Sequence, residues 1–205
     1  TPSSPPFAGS GRDPGRGHDE PVDFTGIDLT TEVVRTERLL LRPYRPEDVD
    51  PVFRACQHPD LQRWLTALPS PYTREAAADF VTGIAPRGRA AGTDLGCAID
   101  VDGEFVGSCG LHALTTGRLG PEIGYWVAPW ARRQGYASEA AGGLAQWAVD
   151  RGAARVHLFT DVENTASQAV ARRAGFTQEG VVRSCLEYRD GGRGDAVLFG
   201  RLAGG

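Results

Sequence analysis

The chain contains no lysine and no methionine, and a single asparagine, Asn164, in 205 residues. All 22 basic side chains are therefore arginines, set against 26 acidic ones for a formal net charge of −4. That mild acidity argues against a general nucleic-acid binder, whose phosphate contacts need a basic stripe. No apolar run approaches the roughly 18 residues of a membrane span, and no basic start leads into an apolar stretch and a cleavage site. The expectation is a cytoplasmic protein with neither a membrane nor a nucleic-acid partner. Cysteine is scarce, at positions 56, 97, 109 and 185, without a CxxC pair. This spacing suggests neither a zinc cluster nor a disulfide framework, and reads as buried, reduced thiols. His18, His58, His112 and His157 show no HExxH or comparable spacing, so no metal site is expected. No GxSxG is present and Cys109 falls on an expected strand, which disfavours a covalent intermediate.

The length suits one domain with a real core. Residues 1–32 begin TPSSPPFAGSGRDPGRGHDEP, rich in Pro, Gly and Ser. Such a segment buries too little surface to offset its chain entropy, and reads as a disordered or loosely docked tail. From Val33 to 203 the pattern is that of an ordered domain. Arg38–Arg42 suits a first strand, Pro46, Glu47 and Asp48 open a helix, and 74–84 carries Ala77, Phe80, Val81 and Ile84 at helical spacing. Strands over 95–101 and 104–111 flank Asp102-Gly103, the strongest short hairpin signal in the chain. Further strands are expected over 122–128, 156–162 and, as a pair around Gly191-Gly192, within 180–202. Helices are expected over 135–148 and over 164–174, the latter stopped by Gly175. The sum is a single α/β domain, a mixed central sheet with helices on both faces and no internal repeat.

The densest chemical signal is EIGYWVAPWARRQGYASEA, Glu122 to Ala140. A strand runs through a Pro-Trp turn into Arg132-Arg133-Gln134-Gly135-Tyr136-Ala137, and a helix starts at once. Successive N–H groups at a helix N-terminus, with a glycine that lets the chain come close, suit a pyrophosphate. An ordinary strand-to-helix turn with solvated arginines explains the same residues. The second element is VHLFTDV followed by Asn164-Thr165-Ala166-Ser167. Asn164 is a good N-cap and Ser167 shares its first turn, so capping alone is also sufficient. Two neighbouring strands, each leading into a polar helix start, would nevertheless frame a cleft for a long phosphorylated cofactor.

With these motifs the chain resembles the GNAT N-acetyltransferases, specifically their RimJ/RimL-type branch. The resemblance covers about 33–203 and takes its parts in order: TERLLLRPYRPEDVD, EIGYWVAPWARRQGYASEA, NTASQAVARRAGF and GRGDAVLFGRL. It implies a GNAT-like fold, acetyl-CoA as co-substrate, no metal, and direct acetyl transfer to an amine without an acyl-enzyme. By position, the backbone of Trp126 and Val127 would pair with the pantetheine arm. The amides from Arg133 to Ser138 would hold the pyrophosphate, with charge from Arg132 and Arg133, and Asn164 would lie near the thiol end. Relatives often place a thiolate-protonating Tyr seven positions after this Asn, where this chain has Ala171. The RimL-like NxxS pattern puts Ser167 forward instead, as the hydrogen-bond partner of the departing sulfur.

An ammonium must lose a proton before it attacks a thioester, so a carboxylate, acting directly or through a water, is the natural base. Glu122, at the start of the strand and matching the base of some relatives, is the candidate; the alternative is that it caps the strand edge or pairs with an Arg. The Val127 N–H is the candidate oxyanion donor. Trp64, Tyr72 and Phe80 are candidates for an acceptor pocket or for ordinary core. The acceptor is either a protein N-terminus or a small-molecule amine, with the loop 66–73 deciding between an open groove and a closed pocket. Three other readings stay open: a longer donor such as succinyl-CoA, a non-catalytic acyl-CoA-binding or sensing module, which Ala171 in place of Tyr keeps open, and a homodimer, which is plausible for the family but not readable in the sequence.

Overall fold

The structure, a computed structural model, describes residues 26–115 and 119–204. Eight strands form one sheet in the order β1-β2-β3-β4-β5-β6-β8-β7. They are β1 (Val34–Arg35), β2 (Leu40–Arg42), β3 (Leu95–Val101), β4 (Glu104–His112), β5 (Glu122–Val127), β6 (Arg155–Asp161), β7 (Thr177–Glu187) and β8 (Arg193–Leu202). The β3–β4 hairpin turns at Asp102 and Gly103, both with positive φ (52° and 90°), as the sequence signal requires. Every pairing is antiparallel except that of β5 with β6, which share one register pair, Glu122 with His157.

The helices divide between the two faces. One face packs Ile123, Leu158 and Phe199 against α5 (Tyr136–Asp150), through Ala141, Leu144 and Ala148, and against α6 (Thr165–Arg173), through Ala171. The other face is covered by α1 (Val49–Cys56), α2 (Pro59–Trp64), α3 (Arg74–Asp79) and α4 (Ala85–Ala91), with Tyr44, Val52, Val81 and Ala98 in a second cluster. A buried ion triad ties this layer to the sheet. Arg42 gives Asp48 bonds of 2.7 and 2.9 Å and Asp100 one of 2.8 Å, all three residues being less than 5% exposed.

Several expectations shift. The helix expected over 74–84 continues to Ala91 through a π segment, Phe80–Ile84. Pro86, which lacks a backbone N–H, lies two residues beyond that π segment. The tail boundary at 32 comes too late: Leu29 is buried, and Glu32 accepts bonds from Trp147 Nε1 (2.7 Å) and Arg151 Nη2 (2.8 Å). Arg89 also donates to the carbonyls of Leu29 and Glu32. These partners lie more than fifty residues away in sequence, which composition cannot register. Residues 1–25 of the expected tail lie outside the described residues. Cys56, Cys97 and Cys109 are buried free thiols, whereas Cys185 is exposed, on the edge strand β7.

Candidate active site

Beyond Glu122, β5 and β6 pair no further, and a cleft of about 610 Å³ opens between them. Strand alternation decides what faces it. The Ala128 N–H donates to Val106 O (2.9 Å), so the peptide groups of residue 128, and by alternation those of 126, point to β4. Gly107 agrees, since a Cβ there would lie 2.4 Å from the Trp126 carbonyl oxygen. The peptide groups of Val127 and Tyr125 therefore face the opening. This corrects one sequence expectation: Val127 offers its backbone to a bound arm, while the backbone of Trp126 is committed to β4 and only its side chain lines the cleft.

At one end of the cleft lies the start of α5. Gly135 adopts φ +83° as its N-cap, and no side chain among the described residues caps the helix. The first amides of the helix, over Tyr136, Ala137 and Ser138, are therefore left for an anion. Arg133 also has positive φ, 64°, a strained setting for a side chain of that size. The loop is braced from the turn between β1 and β2: Arg38 donates to the Gln134 carbonyl (3.0 Å) and pairs with Glu139 (2.7 Å), to which Thr36 also donates (2.6 Å). Burial pushes the Glu139 carboxyl up, but these bonds and the Arg38 amide together hold it below the ordinary range. Arg132 pairs with Asp60 on α2 at 2.8 Å, whereas Arg133 and Gln134 are exposed.

The α6 end brings together the second motif. Asn164 caps the helix by accepting from the Ser167 N–H (3.0 Å), which leaves its side-chain nitrogen for another partner. The Tyr125 hydroxyl lies 3.1 Å from both Ser167 Oγ and Ser167 O. Burial pushes this phenol up to about 12. Ala171 is fully buried. Thr160 lines the same cleft, 5% exposed, and its hydroxyl finds no partner among the described residues. A buried orphan hydroxyl beside free strand peptides fits an amide-rich ligand arm. The sequence reading missed both Thr160 and Tyr125, which look like ordinary strand residues until the sheet splits.

On the α2 side of the sheet stand Glu122, Trp126, Phe159 and Asp161, with Trp64 and Tyr188 opposite. Glu122 is half-exposed, and His157 Nε2 lies 3.9 Å away. Burial pulls the His157 imidazole below its ordinary 6.5, against the pull of Glu122, so the ring facing Glu122 is neutral at physiological pH. Among the described residues Glu122 has no arginine partner, so the Arg-pair alternative falls away. Asp161 is buried and accepts from Tyr188 OH at 2.5 Å. Of the three aromatic candidates, Trp64 lines the cleft, while Tyr72 and Phe80 belong to the second core cluster. His58 caps α2 by accepting from the Asp60 N–H, as a helix start would have it. No group of three or more His, Cys, Asp or Glu side chains among the described residues is placed to hold a metal.

A split parallel pair with a glycine-led helix start at its mouth is a place for a long phosphorylated cofactor. Residues 38–177 match the family described as Acetyltransferase (GNAT) domain. The chain belongs to this family and is an acetyltransferase, an enzyme class that uses acetyl-CoA as co-substrate. Among curated relatives it is 28% identical over 172 residues to the Putative ribosomal N-acetyltransferase YdaF of Bacillus subtilis, covering 81% of this chain and 92% of that protein. It is 26% identical to the Uncharacterized N-acetyltransferase YoaA of the same organism, over 82% of this chain and 94% of that one. Among solved structures, Mycobacterium smegmatis RimJ in complex with a CoA disulfide superposes with TM-score 0.73 at 29% identity, covering 84% of this chain and 88% of that one. RimL, a ribosomal L7/L12 α-N-protein acetyltransferase in complex with coenzyme A, gives TM-score 0.73 at 27% identity, over 83% and 98%.

Proposed function

We propose that this enzyme transfers an acetyl group from acetyl-CoA directly to the α-amine of a protein N-terminus. The observation that carries the reading is the through-going cleft. Its α5/α6 side offers free peptide groups and a helix start, and its α2 side offers carboxylates and aromatic rings. On this reading the amides from Arg133 to Ser138 hold the pyrophosphate, and the peptide groups of Val127 pair with the pantetheine arm, its N–H also meeting the developing oxyanion. Asn164 and Thr160 contact the arm near the thiol. The amine enters from the α2 side and loses its proton to Glu122, directly or through a water. It then attacks the thioester carbon. The carbon–sulfur bond breaks with its electron pair going to sulfur, where Ser167 donates a hydrogen bond; the new amide nitrogen releases its second proton to solvent, and the thiolate takes one proton from solvent. The choice of a protein N-terminus over a small amine rests on the likeness to RimL, RimJ and the ribosomal relative. A cytoplasmic setting and a catalytic unit spanning 33–203, with the packed 26–32 segment as its brace, complete the proposal.

The test is calorimetric titration with acetyl-CoA, followed by thiol release against short peptides beginning with Ser or Ala and against polyamines. Binding with turnover on peptides supports the reading, and turnover confined to polyamines reassigns the acceptor. Binding without turnover on either class indicates a sensor, and failure to bind acetyl-CoA defeats the mechanism.

A further inference from the structure

Ala171, at the position where the family resemblance would have put a protonating Tyr, is fully buried on α6 and carries no acid. The structure supplies a phenol from another direction. Tyr125 projects from β5 on the α6 side of the sheet, packs against the main core, and brings its hydroxyl to 3.1 Å from both Ser167 Oγ and the Ser167 carbonyl. Both residues line the cleft between β5 and β6. We propose that Tyr125 is a positioning residue for the leaving-group step, holding Ser167 so that the serine's one proton is aimed at the departing sulfur.

The argument begins with the proton inventory of the pair. A serine hydroxyl has one proton and two lone pairs. On a helix that proton ordinarily turns back to a carbonyl in the preceding turn. The phenol's one proton donates to the Ser167 carbonyl and lies equally close to Oγ, where either oxygen can be the donor; shared between the two acceptors, it occupies a serine lone pair and leaves the serine proton free for a third group. Burial keeps the Tyr125 phenol protonated, with its affinity for the proton pushed up to about 12. It therefore serves as a donor and not as a source of protons. When negative charge develops on sulfur, a chain from phenol to serine to sulfur strengthens each link by mutual polarisation. No proton changes owner within the pair, so the balance of the reaction is unaltered.

This inference rests on the assignment of Ser167 to the departing sulfur, and the experiment separates the two. Tyr125→Phe, Ser167→Ala and the double variant are compared in the full chain, reading kcat, the KM for acetyl-CoA and the thermal midpoint. Ser167→Ala is expected to lower kcat about 10-fold with little change in KM, and Tyr125→Phe to do the same to a lesser degree, roughly 3- to 10-fold. The decisive reading is the double variant: it should be no slower than Ser167→Ala alone, because the phenol acts only through the serine. A merely structural role for the hydroxyl predicts additive losses together with a lowered thermal midpoint. Additive losses, or a Tyr125→Phe rate equal to wild type beside a slow Ser167→Ala, overturn the positioning role and leave the sulfur assignment standing. A wild-type rate in Ser167→Ala overturns that assignment, and this inference with it.

Discussion

Glu122 occupies the last point at which β5 and β6 still touch, in register with His157 on one side and His112 on the other. Its carboxylate is half-exposed and faces an imidazole that burial keeps neutral, so it is free to take a proton from an incoming ammonium. Glu122→Gln keeps the side chain's shape and removes its basicity. The expected result is a loss of about 10²-fold in kcat and a flattened acid side of the pH profile of kcat/KM. An unchanged profile would assign the proton to another group, with Asp161 the next carboxylate lining the same side. His157 carries a separate stability signal. Its folded-state proton affinity is lowered, so the unfolded chain binds more protons as pH falls through 6.5. Stability should therefore drop on acidification through that range. Substituting His157 by Leu should remove this part of the pH dependence, as measured by urea midpoints between pH 5 and 8. A midpoint that tracks pH equally in both proteins would place the effect elsewhere.

At the scale of elements, two helix starts do most of the work, and they do it differently. The start of α6 is satisfied by Asn164, whereas that of α5 has no side-chain cap among the described residues and is held in place from outside, by Arg38 and Thr36 on the helix's own Glu139 and by Arg38 on the Gln134 carbonyl. Rigid bracing of unsatisfied amides is what an anion site needs, since their orientation is fixed before the ligand arrives. Gly135→Val puts a β-branched side chain at φ +83°, a conformation that costs roughly 1–2 kcal/mol or more for such a residue. The expectation is acetyl-CoA affinity reduced at least tenfold in a calorimetric titration, with far-UV circular dichroism unchanged. Full affinity would remove the pyrophosphate from this loop. The motif around Gly135 was plain in the sequence because a positive-φ glycine between a strand and a helix is a local requirement. The brace was not legible, because Arg38 and Glu139 are a hundred residues apart and an isolated Arg or Glu carries no mark of its partner.

For the molecule as a whole, the sheet has to be stiff enough to remain split in the middle. The α1–α4 layer is joined to it through Arg42, which links β2, the Pro46–Asp48 turn and β3 by its bonds to Asp48 and Asp100. Removing one partner from such a buried set strands the remaining charges. Arg42→Met should cost about 3–5 kcal/mol in a denaturant titration, with the two carboxylates left facing each other. A loss below about 1 kcal/mol would show that water reaches the triad and compensates for the lost cation. Because α2 hangs from this layer and carries Trp64 and Asp60 to the cleft, the same variant should weaken acceptor binding.

The main strands and helices from Leu95 onward, the hairpin at Asp102-Gly103, the glycine-led loop before α5 and the Asn164 cap are consequences of local chemistry, and the sequence determined them alone. Periodicity, turn residues and caps act within a few positions of one another, so a linear reading can follow them. What only the tertiary structure decided is which groups meet across the split sheet. It turns the peptide groups of Val127, and not those of Trp126, toward the opening, and it leaves the Thr160 hydroxyl without a partner among the described residues. It also brings the Tyr125 phenol to Ser167 and packs Leu29 and Glu32 onto the domain. Each of these depends on strand register or on the parting of β5 from β6. Those quantities are set by the balance of long-range packing over the whole sheet and leave no trace in any short stretch of sequence.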